Sequence, residues 1–117
     1  MLSRLAWCLL IVVLSLPFAK AQNQTLESRR AQLKQLLADQ WEYELKENPE
    51  RATAIGDYRY NDRWGDNSLA HVQQQKRDLQ DWLAKFEAVN TAGFAEQEKL
   101  SHSLMVRNLK QRLERSI

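Results

Sequence analysis

The densest group of chemically capable side chains lies between Asp57 and Asp66, where the sequence reads DYRYNDRWGD. An arginine can hold a carboxylate through two hydrogen bonds, and a tyrosine supplies apolar surface together with a hydroxyl. These residue types suit a rim that binds a peptide or a carboxylate. The candidate substrate contacts are Asp57, Arg59, Tyr60 and Asp62.

A structural role for the same passage is the alternative interpretation. Gly56 would end a helix, the tyrosines and Trp64 would seal the end of a helix bundle, and Arg59 or Arg63 would pair with a nearby aspartate. Carboxylate pairs elsewhere, such as Glu42 with Glu44, are expected to be ordinary solvated charges. Composition alone favours the structural interpretation.

The passage does not have the spacing of a calcium loop. Such a loop needs oxygen ligands at alternate positions and a glutamate at the twelfth. A loop that started at Asp57 would place Arg59 at its third position, and one that started at Asp62 would place Trp64 there. We therefore expect no calcium site.

Zinc and hydrolase motifs are also missing from the sequence. His71 and His102 are far apart, and neither belongs to an H-E-x-x-H pair. No G-x-S-x-G is present, and His102 with its two flanking serines is not a catalytic group, because adjacent residues on a helix do not face each other. We predict no metal ligand and no catalytic residue in this chain.

Residues 1–21 have the features of a secretory signal peptide. Arg4 precedes an apolar run from Leu5 to Leu16, and Ala19 and Ala21 give the small-x-small form of a cleavage site. The less favoured alternative is a membrane anchor, but a spanning helix needs about 20 apolar residues. We expect cleavage, export to the periplasm or the extracellular space, and no stable membrane span afterwards.

Removal of the signal peptide changes the charge and the cysteine content. Cleavage would remove Arg4 and Lys20, so residues 22–117 contain 15 basic and 15 acidic residues. A net charge of zero gives no support for a nucleic-acid partner. Cys8 is the one cysteine in the sequence, so residues 22–117 offer neither a disulfide nor a thiol nucleophile.

Helical spacing of apolar residues predicts an all-α fold for residues 22–117. Thr25 and Ser68 are natural N-caps for long helices, and Asn48 can cap a short helix that begins at Pro49 and ends at Gly56. The predicted elements are a helix from Leu26 to Glu47, a short helix and loop at 49–67, a helix after Ser68 that breaks at 90–93, and a helix from about Ala95 to the end.

Three apolar stripes follow from these helices. The predicted stripe residues are Leu26, Leu33, Leu37, Trp41 and Leu45 on the first long helix, Val72, Leu79, Trp82, Leu83, Phe86 and Val89 on the second, and Leu100, Leu104, Leu109 and Leu113 on the third. Such stripes can bury one another in an up-down-up arrangement. The core should be thin, because a chain of this size buries a modest share of its surface.

Several short stretches resemble the start of a large bacterial family, domain of unknown function 885. They are Trp41-Glu42-Tyr43, Asn48-Pro49-Glu50, the run from Ala52 to Asp57 and the run from Arg59 to Arg63. The order and spacing match through Leu113. The resemblance implies a helical, exported protein of several hundred residues that is similar to zinc metallopeptidases, a class of hydrolases. In that family the zinc-binding H-E-x-x-H lies far downstream.

Two expectations stay open, and the first of them rests on the resemblance. In the first, residues 22–117 are the truncated N-terminal helical segment of a metallopeptidase-like protein, inactive alone, with the passage at 57–63 facing a peptide-binding cleft. Its partner is the missing C-terminal remainder, and zinc belongs only to a full-length relative. In the second, the chain is a complete small helical protein of the cell envelope that acts as a binding or interaction module.

Overall fold

The computed structural model describes residues 24–116, and this part of the chain is all-helical, as predicted. The predicted signal peptide at 1–21, the predicted cleavage residues Ala19 and Ala21, and Ile117 lie outside the described residues. The elements are α1 (Leu26–Glu47), α2 (Pro49–Ala54), a 3-10 turn (Tyr58–Tyr60), α3 (Leu69–Glu87) and α4 (Glu96–Arg115). None of the helices within 24–116 is long and apolar enough to cross a membrane.

Local capping places the starts of the long helices. The Thr25 hydroxyl accepts the Ser28 N–H at 3.1 Å, and the Ser68 hydroxyl accepts the His71 N–H at 3.2 Å, so both predicted N-caps are confirmed. Asn48 occupies the predicted N-cap position of α2, directly before Pro49, but the predicted capping by its side chain was wrong. The side chain instead donates to the Glu44 carbonyl at 3.0 Å, where it closes the end of α1.

The three long helices run up, down and up, as predicted. α3 is antiparallel to α1, because Arg29 reaches the Asn90 carbonyl beyond the far end of α3, and the Tyr43 hydroxyl donates to Asp78 at 3.0 Å. α4 runs parallel to α1, since Arg30 pairs with Glu98 at 3.2 Å near the first turns of both helices. α3 and α4 are the closest helix pair, whereas α1 and α4 approach each other little.

The core lies where α3 packs between α1 and α4. Its buried residues are Leu33, Leu79, Phe86, Val89, Phe94 and Leu109. Phe86 and Leu109 are fully buried. Phe94 was not predicted as a core residue, because it lies in the connection before α4 and belongs to no helical stripe.

Four predicted stripe residues are exposed rather than buried. Trp41, Val72, Leu100 and Leu104 are about half exposed, at 47–54%. Because α1 and α4 both pack on α3 and little on each other, three helices cover only part of each stripe. The prediction that complete stripes bury one another was therefore wrong for these positions.

Gly56 provides the first testable prediction. It follows α2 with φ +91°, and an added Cβ there would meet no atom within 4 Å, so the cost of a side chain is conformational. We expect Gly56→Ala to lower the free energy of unfolding by about 1 kcal/mol, because non-glycine residues disfavour the left-handed region. Gly56→Asn should lose less, since asparagine tolerates that region. Urea unfolding measures both variants, and an unchanged midpoint for Gly56→Ala contradicts the prediction.

Candidate functional site

A second, smaller buried cluster holds the chemically rich passage against the C-terminal half of α1. It consists of Leu45 on α1, Ala52 on α2 and Tyr60 in the 3-10 turn. The Asp57 carboxylate accepts the Arg59 N–H at 3.2 Å and so caps this turn. The Tyr60 hydroxyl donates to the Glu42 carboxylate. The turn is therefore fixed to α1 by both apolar packing and a hydrogen bond.

Arg59 is bound by two carboxylates at once. Its two terminal nitrogens donate to the two Glu42 oxygens at 2.9 and 3.0 Å, a bidentate arrangement. Its Nε donates to Asp57 at 3.0 Å, and one terminal nitrogen also reaches Asp57 at 2.6 Å. The guanidinium carbon lies 5.3 Å from the centre of the Tyr60 ring. We call Glu42, Asp57, Arg59 and Tyr60 the Arg59 cluster.

The Arg59 cluster satisfies most of its own polar groups. Arg59 has five N–H donors, and the contacts to Glu42 and Asp57 use its Nε and both of its terminal nitrogens. Few N–H donors of the guanidinium therefore remain to bind the carboxylate of another molecule. The geometry therefore favours a positioning role for this arginine over direct binding, and the predicted pairing of Arg59 with a nearby aspartate is confirmed.

Asp62, the fourth candidate contact, lies apart from the cluster. It is exposed, with Arg63 Nε at 3.8 Å, and it lines a separate depression of about 320 Å³ that also includes Glu50 and Trp64. The structure thus brings together Asp57, Arg59 and Tyr60 but not Asp62.

The expectation that the aromatic residues seal the bundle is correct only for Tyr60, which is buried. Tyr58 is 65% exposed and Trp64 is 86% exposed. The loop that follows the 3-10 turn is bound to α2, since the Gly65 N–H donates to the Glu50 carboxylate at 2.8 Å. Tyr60 and this hydrogen bond fix the loop while Trp64 remains outside it.

Glu42 and Glu44 are not ordinary solvated charges, and that prediction was wrong. Glu42 is the acceptor at the centre of the Arg59 cluster, and Glu44 pairs with Arg112 on α4. Both partners are distant in sequence, so helical spacing could not reveal them. The one available signal was the family resemblance, which included Trp41-Glu42-Tyr43.

An open groove of about 670 Å³ borders the Arg59 cluster. Its lining residues are Trp41, Leu45, Ile55, Gly56, Asp57, Tyr58 and Arg59. Trp41, Ile55 and Tyr58 present exposed apolar or aromatic surface to it. Surfaces of this kind can take apolar side chains of a peptide, while the groove offers no nucleophile of the serine, cysteine or lysine type.

The Arg59 cluster predicts how stability depends on acid. The hydrogen bond from Tyr60, and then that from Arg59, lowers the pKa of Glu42 below its ordinary value of 4.5. The Arg59 side chain likewise lowers the pKa of Asp57. Because the folded pKa values are depressed, this stabilisation is complete above about pH 4.5 and is lost as the pH falls through the lower folded values.

We therefore expect the urea midpoint to fall more steeply between pH 5 and pH 2.5 in the unsubstituted protein than in Glu42→Gln, which has no carboxylate to protonate. Tyr60→Phe removes the largest cause of the shift and should give an intermediate slope. Equal pH slopes in all three proteins would show that the cluster has no acid-linked effect on stability.

The described histidines do not fit a zinc site. His71 Nε2 lies 2.8 Å from the Glu47 carboxylate, and its Nδ1 is 3.9 Å from Asp66. His102 Nε2 lies 2.7 Å from the Phe86 carbonyl oxygen. Within 24–116, no group of three or more histidine, cysteine, aspartate or glutamate side chains is arranged to hold a metal ion. Both histidines are half-buried on helices.

Comparison with known proteins gives one family. The family profile described as "Bacterial protein of unknown function (DUF885)" matches residues 49–117. The matched part includes Asp57, Arg59 and Tyr60 but begins after Trp41 and Glu42, so the resemblance of α1 stays a prediction. No curated protein and no solved structure matches the chain significantly. Since the match covers more than half of the sequence, the chain belongs to this bacterial family, DUF885.

Proposed function

We propose that this chain is a non-catalytic helical wall of an exported, zinc metallopeptidase-like protein, whose chemistry belongs to a C-terminal part beyond residue 117. The observation that carries the proposal is the self-satisfied Arg59 cluster. Its charges bind one another across α1 and the 3-10 turn, and they hold an exposed aromatic surface beside an open groove. This arrangement supports the proposal of a binding wall, because the charged groups fix the turn to α1 and leave exposed aromatic and apolar groups along the groove.

In this proposal a peptide substrate lies along the groove. Trp41, Ile55 and Tyr58 contact its apolar side chains, since aromatic residues give large contact area at low conformational cost. Asp57, Arg59 and Tyr60 fix the position of the wall relative to α1 through their contacts with Glu42 and with one another. In this proposal zinc and its ligands belong to the remainder of the fold, as the family resemblance implies.

The coding sequence downstream of Ile117 tests the proposal directly. We expect an in-frame H-E-x-x-H within several hundred codons. We also expect the purified 117-residue product to leave fluorogenic peptides uncleaved when zinc is added. A stop codon with no such element in any downstream frame would remove the main support for the proposal, and zinc-dependent cleavage by the short product would overturn it.

The second candidate is a small helical binding module of the cell envelope that folds on its own. The buried cores of residues 24–116 favour it, because Phe86 and Leu109 are fully buried in one cluster and Leu45, Ala52 and Tyr60 form another. This candidate predicts one cooperative thermal unfolding transition for purified residues 22–117. A partly folded, aggregating product would count against it.

A further inference from the structure

An open groove follows the seam between α1 and α4. Trp41 lines both this groove and the one beside the Arg59 cluster. Toward the starts of the helices its volume is about 280 Å³, and toward their ends about 570 Å³. The two parts share Ser101. The lining residues are Arg30, Leu33, Lys34, Leu37, Gln40, Trp41, Glu44, Asn48 and Arg51 on one side and Gln97, Glu98, Ser101, Leu104, Met105, Asn108 and Arg112 on the other.

The seam is open because α1 and α4 are joined by ion pairs rather than by close packing. Arg30 pairs with Glu98 at 3.2 Å, and Arg112 pairs with Glu44. The two α1 members of these pairs, residues 30 and 44, are about 21 Å apart along an ideal helix. That span matches a docked helix of about 14 residues.

The groove lies where a four-helix bundle places its fourth helix. α1 and α4 both pack on α3 and approach each other little. In a four-helix bundle the fourth helix lies in the groove between two such helices, opposite the one that they share. Trp41 and Leu104 line the groove and are 48% and 54% exposed, and Leu100 lies one turn before Leu104 on the same row of α4.

The charge of the lining selects the occupant. Four cations, Arg30, Lys34, Arg51 and Arg112, line the groove, against two anions, Glu44 and Glu98. Both anions are paired with Arg112 or Arg30, whereas no carboxylate of residues 24–116 forms an ion pair with Lys34 or Arg51. The lining is therefore net positive, and an occupant with acidic residues beside its apolar stripe complements it.

We propose that the α1–α4 groove binds an amphipathic helix of a partner polypeptide, with leucine-like residues on one stripe and acidic residues on both flanks. The mode is helix-in-groove recognition. A second copy of the same groove would bring like charges together. The apolar run from Leu5 to Leu16 has no acidic residue, so this chain's own N-terminal segment lacks the complementary charge. The inference does not depend on peptidase-like chemistry.

The test uses two synthetic 18-residue peptides. Both carry four leucines with i, i+4, i+7, i+11 spacing on an alanine background, and the flanks are glutamate in one peptide and lysine in the other. Titration of each peptide into ¹⁵N-labelled protein of residues 22–117 gives the dissociation constants and maps the binding site. We expect the glutamate peptide to bind at least tenfold more tightly, with the largest amide shifts along the seam near Trp41, Leu104 and Met105.

Variants separate this groove from other apolar surfaces. Leu104→Ser and Arg51→Glu should each weaken the glutamate peptide tenfold or more, because one removes apolar surface and the other reverses a charge. Val72→Ser is the matched control, since Val72 is also half exposed but lies outside the groove lining. It should leave the affinity unchanged.

Several outcomes would overturn the proposal. They are no binding of either peptide, equal binding of both, amide shifts centred on Tyr58 or Trp64, and loss of affinity in Val72→Ser equal to that in Leu104→Ser. A dimer in light scattering that Leu104→Ser dissociates would identify a second copy as the occupant and would also contradict the partner helix.

Discussion

Replacing Phe86 with alanine is expected to lower the free energy of unfolding by about 3–5 kcal/mol, the usual cost of a phenylalanine-sized cavity. Phe86 has 0% of its surface exposed, and its ring centre is 6.4 Å from that of Trp82. It lies in the core that joins α3 to α1 and α4. A loss of this size is a large share of the stability of a small domain. Urea unfolding followed by circular dichroism measures it.

Two further variants keep this prediction testable if Phe86→Ala does not fold at all. Phe86→Leu keeps most of the volume and should cost about 1 kcal/mol. Leu69→Ala removes a side chain that is 74% exposed, so its effect should stay within about 0.5 kcal/mol. Equal losses for Phe86→Leu and Leu69→Ala would show that Phe86 is not a centre of the core.

The ion pair between Glu44 and Arg112 is expected to give the second large effect. The Glu44 side chain is 13% exposed, and Arg112 is the cation that pairs with it across the α1–α4 seam. Arg112→Met would leave this carboxylate with Gln40, which donates to it at 2.9 Å, as a neutral partner. We expect a loss of about 2 kcal/mol, less than for a fully buried pair because Arg112 is 29% exposed.

A double-mutant cycle distinguishes the pair from a loss of packing. Glu44→Gln in the Arg112→Met background should recover part of the lost stability, because no unpaired charge then remains at the site. Lys110→Met is the matched control on the same helix. It breaks a pair with Glu87 in which both side chains are about half exposed, so the cost should be under about 1 kcal/mol. A similar cost for the two methionine variants would contradict the special role of Arg112.

The positions of the helices could be predicted because their signals are local. Thr25 and Ser68 cap their helices through residues three positions away, and α1 has the predicted bounds Leu26–Glu47. Gly56 supplies the left-handed conformation that ends the short helix. Each of these interactions joins residues at most four positions apart, so a short stretch of sequence contains both partners.

The candidate site was only half predictable for the same reason. The contact between Asp57 and Arg59 spans two residues, and it was expected. The acceptor that both Arg59 and Tyr60 share is Glu42, 17 and 18 positions earlier in the chain. No spacing rule links such positions, since the distance between them is set by how α2 and the turn fold back on α1.

The sequence by itself therefore determined the all-α class, the starts of the long helices and, through the passage from Ala52 to Arg63, the DUF885 family. The end of α3 was predicted too late, at 90–93, whereas the helix ends at Glu87. Only the tertiary structure decided which apolar residues are buried. Phe86 and Leu109 lie fully buried in the core around α3, whereas Trp41 and Leu104 lie on apolar stripes too but are about half exposed. Periodicity reports that a face is apolar, but burial depends on how many elements pack against that face, and this is a long-range property of the fold.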